Sequence, residues 1–410
     1  MERLVRDGDS LFLSSGAAEP RALIAELLAD IAPRRSDLRF LQVLTGSQAR
    51  IFEAAKYGHR LLTPAPGRLR AEAARGEVDL LELSMGQCSA AIEAGSITFD
   101  GALLTGVRSG EEICLVPATD LSTIVLERAR FCAVELLPEW AGKPRGPRIA
   151  VADVDYLVEG ERPATLAEPR TPREIARQIG GHVAGLIPAG AAVELGVGMA
   201  LEAVADCLIE VGTPISVHTG LISDWTQKLV EAGVASVELE CAGGRPVLAA
   251  IAMGSERFNS WLETTDAVAF ADSRHAHDPA HLCRCKPFVA INSAMAVDLD
   301  GRVGLFPGTP DAYPPGGLLD FAIAGSYGGL SIVALTSQTL EGRTRVVSEL
   351  GSVHLPSGLA THVVTEFGVA AIQGLTRSER RDALLAISHP DHRPSLADRD
   401  PTNHREQICH

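Results

Sequence analysis

From Ala191 onward the chain alternates short apolar runs with helix-length segments, and this alternation limits the fold more than any other feature. Ala191 to Leu195 reads as a strand that enters Gly196-Val197-Gly198, followed by a helix to about Glu210. Ile215 to His218 reads as the next strand, leading to Ser223-Asp224 and a helix that ends at Gly233. Further strands are expected near Val247 to Met253, Ala267 to Ala271, Phe288 to Ala294 and Ser331 to Leu335. Strands and helices that alternate in this way build an α/β fold with a mostly parallel sheet.

The first half shows the same pattern with weaker punctuation. In Pro20 to Ala32, Leu23, Leu27, Leu28 and Ile31 share one helical face, and Pro20 stands where a first helical turn tolerates proline. Strand-like runs follow from Leu38, at Gly101 to Leu104, at Phe131 to Leu136 and at Asp155 to Leu157. A chain of 410 residues exceeds one ordinary core at roughly 150 residues per domain, so two or three domains are expected. Glu161 to Pro172 holds three prolines and little to bury, which places the junction there. Thr171, Pro172 and Glu174 then form a capping box that opens a helix through about Leu186, and Thr376 with Glu379 form another ahead of Pro390. The expected division is an N-terminal α/β domain over 1–165, a C-terminal α/β domain over 166–390 and a loosely held tail over 391–410.

A net charge of −15 without any basic run argues against nucleic acid or an anionic membrane surface as partner. The weakly polar stretch Val183 to Leu201 is broken by Pro188 and Glu194, so no membrane span is expected, and the charged opening residues do not read as a signal peptide. Eight scattered cysteines form no disulfide framework, which suggests reduced thiols and a cytoplasmic location.

Several motifs of the second half occur in an order that resembles the acetyl-CoA hydrolase/transferase family. They are ELGVG at Glu194 to Gly198 against the family's Q-x-G-I-G, VHTGLISD at Val217 to Asp224, MGSERF from Met253, VAINSA from Val289, GGLLDF from Gly316, VVTEFGVA from Val363 and SHPDHR from Ser388. The first half matches mainly through SGAAEPRAL from Ser15 and the run from Asp153. The resemblance implies two CoA-transferase-type domains with an acyl-CoA site in the cleft between them, commonly in a homodimer. It also implies chemistry in which a glutamate takes the acyl group and then carries CoA as a glutamyl thioester.

Four positions depart from that pattern. Phe288 to Gly304, FVAINSAMAVDLDGRVG, is similar to the family's N-S-A-I-E-V-D-L-x-G segment, and ungapped alignment puts Ala296 where the nucleophilic glutamate belongs. Gly220 stands where V-H-T-E-M-I-S-D relatives carry another glutamate. In the loop resembling G-x-G-G-Q-x-D-F, Pro314 removes one backbone N–H, and Leu318 replaces the glutamine beside Gly316 and Gly317. The changed pocket is expected to be less polar at each point, with Gly196, Gly198, Gly220, Asn292, Ala296, Pro314, Gly316, Gly317 and Leu318 lining the substrate site.

Asp298 is the nearest remaining carboxylate expected on the face of Ala294 and Ala296, which makes it a candidate substitute nucleophile. His218 is a candidate general base, although the V-H-T motif also gives it a structural hydrogen-bonding reading. His275, His277, His281, Cys283 and Cys285 form H-x-H-x-x-x-H-x-C-x-C, a zinc-like run. Alternate residues of an extended strand face opposite ways, and the resemblance implies no metal there, so none is expected. The lone Cys88 reads as a small core residue.

These readings converge on an acyl-thioester protein that takes acyl-CoA, or an acyl group on a carrier protein's phosphopantetheine, and passes the acyl group directly to a small-molecule acceptor. No tightly bound cofactor is expected. The alternatives are a CoA-transferase or hydrolase working through a substitute residue, and a CoA-binding protein without activity.

Overall fold

The computed structural model describes residues 1–44, 50–142, 144–161, 174–196, 199–305 and 316–398. Their architecture is two mostly parallel sheets with helices packed on them. The first sheet runs, by hydrogen-bonded neighbours, Asp79–Leu80, Arg60–Thr63, Arg39–Gln42, Ser10–Leu13, Gly101–Ser109, Phe131–Leu137 and Tyr156–Glu159, all parallel. Glu112–Cys114 and Arg148–Ala150 branch from Gly101–Ser109 as antiparallel strands.

The second sheet runs Val268–Phe270, Val247–Ala252, Ser216–Ile222, Ala192–Leu195, Phe288–Ser293, Leu330–Ala334, His362–Thr365 and Gly368–Ala371. Only the last pair is antiparallel. The order reverses between Ala192–Leu195 and Phe288–Ser293, where connections leave toward opposite edges. A crevice opens outside the carboxyl ends of strands at such a point, which is where open α/β sheets hold their ligands.

The expected helix of Pro20 to Ala32 starts as Arg21–Glu26 and widens into a π turn over Leu27–Ile31, keeping Leu23, Leu27, Leu28 and Ile31 in the core. The expected capping box at Thr376 is present, with its hydroxyl accepting the Glu379 N–H and the Glu379 carboxylate accepting the Thr376 N–H. The Thr171 box lies outside the described residues. One core mixes the halves, packing Val107, Val116, Leu137 and Trp140 with Ile179, Leu208, Val217 and Trp225. No helix among the described residues is long and apolar enough to cross a membrane.

Three sequence expectations differ from the structure. The apolar run from Phe288 is not one strand: it leaves the large sheet after Ser293 and re-forms as Ala296–Asp298 in a three-stranded sheet with Val303–Gly304 and Val346–Val347. The histidine-rich stretch is not extended either, because Asp272 and Asp278 cap two short helices, Ser273–Ala276 and Pro279–Leu282. After Asp391 the chain is not loose up to 398. Helix Arg393–Ala397 buries Leu396, and the Arg381 guanidinium donates to the Leu396 carbonyl at 2.7 Å.

Candidate active site

Glu194 and Asn292 stand on the two strands that meet where the second sheet reverses. Asn292 Nδ2 donates to Glu194 Oε2 at 3.0 Å, and Gly196 follows one step beyond the strand end. A Cβ at Gly196 would lie 3.2 Å from Asn292 Oδ1, so glycine lets the backbone pass close to the amide. These residues line a cavity of about 230 Å³ whose opposite wall is Val43, Leu44, Ala65 and Met85 from the first half. Gly220, Gly316, Gly317 and Leu318 line it as well. The structure therefore brings six of the sequence-selected positions around one space: Gly196, Gly220, Asn292, Gly316, Gly317 and Leu318. Gly198 and Pro314 lie outside the described residues.

Two polar groups also line this cavity, at positions other than the changed ones. Glu194 is fully buried, and burial pushes its pKa from 4.5 up to about 8, against the opposing effect of the Asn292 hydrogen bond. At neutral pH it is a carboxylic acid that can donate a proton. The sequence carried the signal, since ELGVG puts an acid where the similar motif has glutamine. His277 is the second group. A Cβ at Gly220 would sit 2.5 Å from His277 Nε2, so the imidazole occupies the space into which a side chain at 220 would grow. Its ring packs on Phe321 with centroids 5.0 Å apart, and Nδ1 is buried without a hydrogen-bond partner. Burial, then the nearby His218, lowers its pKa to about 3, leaving a neutral ring. Glu194 and His277 are the titratable side chains among the described residues lining the cavity.

The wall is held by Asp320 in the first turn of helix Leu318–Ser326. Its carboxylate accepts from Ser84 Oγ at 2.6 Å and from the Gly86 N–H at 3.0 Å, both at the start of helix Met85–Glu93. Burial raises its pKa to about 6. Beyond this contact a wider cavity of about 490 Å³ opens between Ser84, Gln87, Glu93, Arg274 and Leu319. Gly316 has φ +58°, a left-handed turn that suits glycine, and its carbonyl accepts the Met85 N–H at 3.3 Å.

The other sequence-selected residues fall elsewhere. Ala296 is half-buried, pairs with Gly304 and is outside the described lining of the cavity. Asp298 is fully buried in its own turn, where it accepts the N–H groups of Asp300 and Arg302 and Arg302 Nε at 2.6 Å. Its geometry is that of a turn-holding carboxylate, with Gly301 beside it at φ +78°. His218 is buried on the strand Ser216–Ile222, and its Nε2 lies 3.2 Å from the His275 carbonyl, away from the lining. Cys88 is a buried thiol whose pKa burial drives up to about 12.

Residues 254–399 match the family model described as the acetyl-CoA hydrolase/transferase C-terminal domain. Among curated proteins, a succinyl-CoA:acetate/propanoyl-CoA:succinate CoA transferase of Fasciola hepatica is 25% identical over 404 residues, 96% of this chain and 84% of that enzyme. A 4-hydroxybutyrate coenzyme A transferase of Clostridium kluyveri is 29% identical over 255 residues, 60% of this chain and 59% of that enzyme's length. Among solved structures, RipA from Yersinia pestis superposes with a TM-score of 0.84 at 24% identity, covering 96% of this chain and 93% of its own. A 4-hydroxybutyrate CoA-transferase from Porphyromonas gingivalis superposes at 0.78 with 21% identity, covering 96% and 94%. These structural likenesses bear on the fold, two CoA-transferase-type layers of mostly parallel strands. Residues 254–399 thus match the acetyl-CoA hydrolase/transferase C-terminal domain, and over 96% of its length this chain is similar to the CoA transferase of Fasciola hepatica.

Proposed function

We propose that the chain binds an acyl thioester, as acyl-CoA or acyl-phosphopantetheine on a carrier protein, in the cavity at Glu194 and Asn292 and transfers the acyl group directly to a bound acceptor. The observation that carries this reading is a buried, neutral Glu194 in a cavity where the expected nucleophile position is Ala296. The relatives' names supply the thioester class: they are CoA-transferases. In this reading 1–165 and 166–390 are the two domains flanking the cleft, in a cytoplasmic homodimer. At about 230 Å³ the space is smaller than the roughly 300–1,000 Å³ of a whole-ligand pocket, so it suits the acyl-thioester end with the rest of CoA outside.

The step balances simply. The acceptor's hydroxyl, amine or thiol, or water, attacks the thioester carbonyl carbon; the C–S bond breaks, and the thiolate leaves with the Glu194 proton. The acceptor's proton passes to solvent, from which Glu194 is reprotonated. His277, with a pKa of about 3, is a weak base at neutral pH; as a neutral ring it orients the acceptor by hydrogen bonding. Asn292 fixes Glu194 by its 3.0 Å bond.

A second reading is favoured by the same residue: Glu194 as a relocated nucleophile for acyl-CoA:carboxylate CoA transfer. Nucleophilic attack needs the ionised form, which with a pKa of about 8 is roughly a tenth of the population at pH 7. The two readings give opposite pH profiles. With a panel of acyl-CoA donors and hydroxyl, amine and carboxylate acceptors, direct transfer predicts a single-turnover rate that falls as pH rises through about 8, with no adduct trapped by hydroxylamine or borohydride. A rate that rises through the same range, with a trapped adduct at Glu194, replaces the first reading by the second. Thioester binding without turnover for any acceptor overturns both.

A further inference from the structure

We propose that His218, Cys241, Cys285 and His281 form a structural Cys₂His₂ zinc site on one face of the second sheet, separate from the cavity lining. His218 comes from the middle of the strand Ser216–Ile222, Cys241 from the turn Glu240–Ala242, His281 from the helix Pro279–Leu282, and Cys285 from the approach to the strand Phe288–Ser293. Candidate ligand atoms of His218, Cys241 and Cys285 all lie within 4.8 Å of one another. His218 Nδ1 is 3.8 Å from Cys285 Sγ. Tetrahedral zinc, with Zn–S near 2.3 Å and Zn–N near 2.0–2.1 Å, sets its ligand atoms about 3.3–3.8 Å apart, so the group contracts by about 1 Å or less to take the ion.

Two further observations point to an ion. His281 Nε2 is buried with no hydrogen-bond partner, and its ring lies 5.9 Å from that of His218, centroid to centroid. In the proposed site it is the fourth ligand. His218 Nε2 faces the His275 carbonyl at 3.2 Å, which fixes the proton there and turns the Nδ1 lone pair toward the sulfurs. A ligating histidine is ordinarily held by an outer hydrogen bond of this kind. Two cysteine sulfurs beside two imidazoles are a donor set of zinc rather than of a hard, oxygen-seeking cation.

Read as an extended segment resembling one that holds no metal in the similar family, the dense run from His275 to Cys285 implies no ion. In the structure the run splits. His275 Nδ1 sits 3.1 Å from Asp272, Cys283 donates to the Ala324 carbonyl at 3.8 Å, and His277 turns into the cavity. Only His281 and Cys285 remain for an ion, and the chain supplies His218 and Cys241 from distant positions. The ion would pin segment 277–285 to the strand that carries Gly220, and so hold the His277 ring in place. Cys241 is solvent-exposed, which gives the ion a way in.

The test is metal analysis of the full chain expressed in zinc-replete medium and passed through gel filtration. About one zinc per chain is expected, with cobalt replacing it to give thiolate charge-transfer absorption and the intense d–d bands of a tetrahedral site. Cys241→Ser and Cys285→Ser are each expected to lower retained zinc at least about tenfold, while Cys88→Ser retains it. Because Cys241 is exposed, Cys241→Ser should fold, and circular dichroism checks this. Folded protein from replete medium with substoichiometric metal, a Cys241–Cys285 disulfide found by mass spectrometry, or zinc retained in both cysteine variants would each overturn the proposal. All readouts are independent of catalytic turnover, so loss of the acyl-transfer reading leaves this test intact.

Discussion

Replacing Glu194 by glutamine should make the protein more stable and less active, and the stability gain should depend on pH in a defined way. Below pH 4.5 the carboxyl is protonated in both folded and unfolded chains, and its burial costs nothing extra through ionisation. As pH rises, the unfolded chain ionises at about 4.5, while the folded chain holds its proton to about 8. The folded state therefore loses ground across that window, at about 1.4 kcal/mol per pH unit. At pH 7 this amounts to about 3 kcal/mol that an uncharged glutamine would not lose, and the amide can still pair with Asn292. The assay is urea unfolding of both proteins at pH 5, 7 and 8.5. The stabilisation should be about 1 kcal/mol at pH 5 and about 3 kcal/mol at pH 7, with activity falling roughly 10²–10⁴-fold through loss of the proton donor. A difference that is flat with pH, or a glutamine variant that is less stable at pH 7, would refute the buried neutral acid and the mechanism built on it.

Two further outcomes test the second polar group. Gly220→Ala places a methyl 2.5 Å from His277 Nε2 and should cost about 1–3 kcal/mol, a loss that His277→Ala in the same chain should largely remove; additive costs in a double-mutant cycle of melting curves would show that the ring is elsewhere. The buried His277 ring stays neutral down to about 3 whereas an unfolded one protonates near 6.5, so its share of stability is full above 6.5 and declines as the solution is acidified. Between pH 7 and 5 the wild type should lose about 2 kcal/mol relative to His277→Asn, and parallel stability curves for the two would contradict that burial.

The parallel sheets were legible because buried strands separated by capped helices leave a strong pattern, and Val247, Phe288 and Leu330 fall where the apolar runs predict. Loop chemistry was less legible. Glu194 lies in the ELGVG motif, where it replaces a glutamine of the similar motif, while glutamates are missing at 220 and 296. Its role depends on facing Asn292, a contact 98 residues away in the chain. Asp298 misled for the opposite reason: counting alternate residues along one strand fails when the chain changes sheets between Ser293 and Ala296. The histidine run misled because two aspartate caps convert a presumed strand into helical turns, altering which side chains can meet.

The provenance of the cavity wall affects how relatives should be used. Val43, Leu44, Ala65 and Met85 close the space opposite Glu194, but all four lie outside the segment matched by the family model. If this wall meets the acyl chain, preference for short, branched or aromatic acids is written in the half that homology describes least. Inferring a natural donor from the similar C-terminal portion would then read the handle of the tool and overlook its cutting edge.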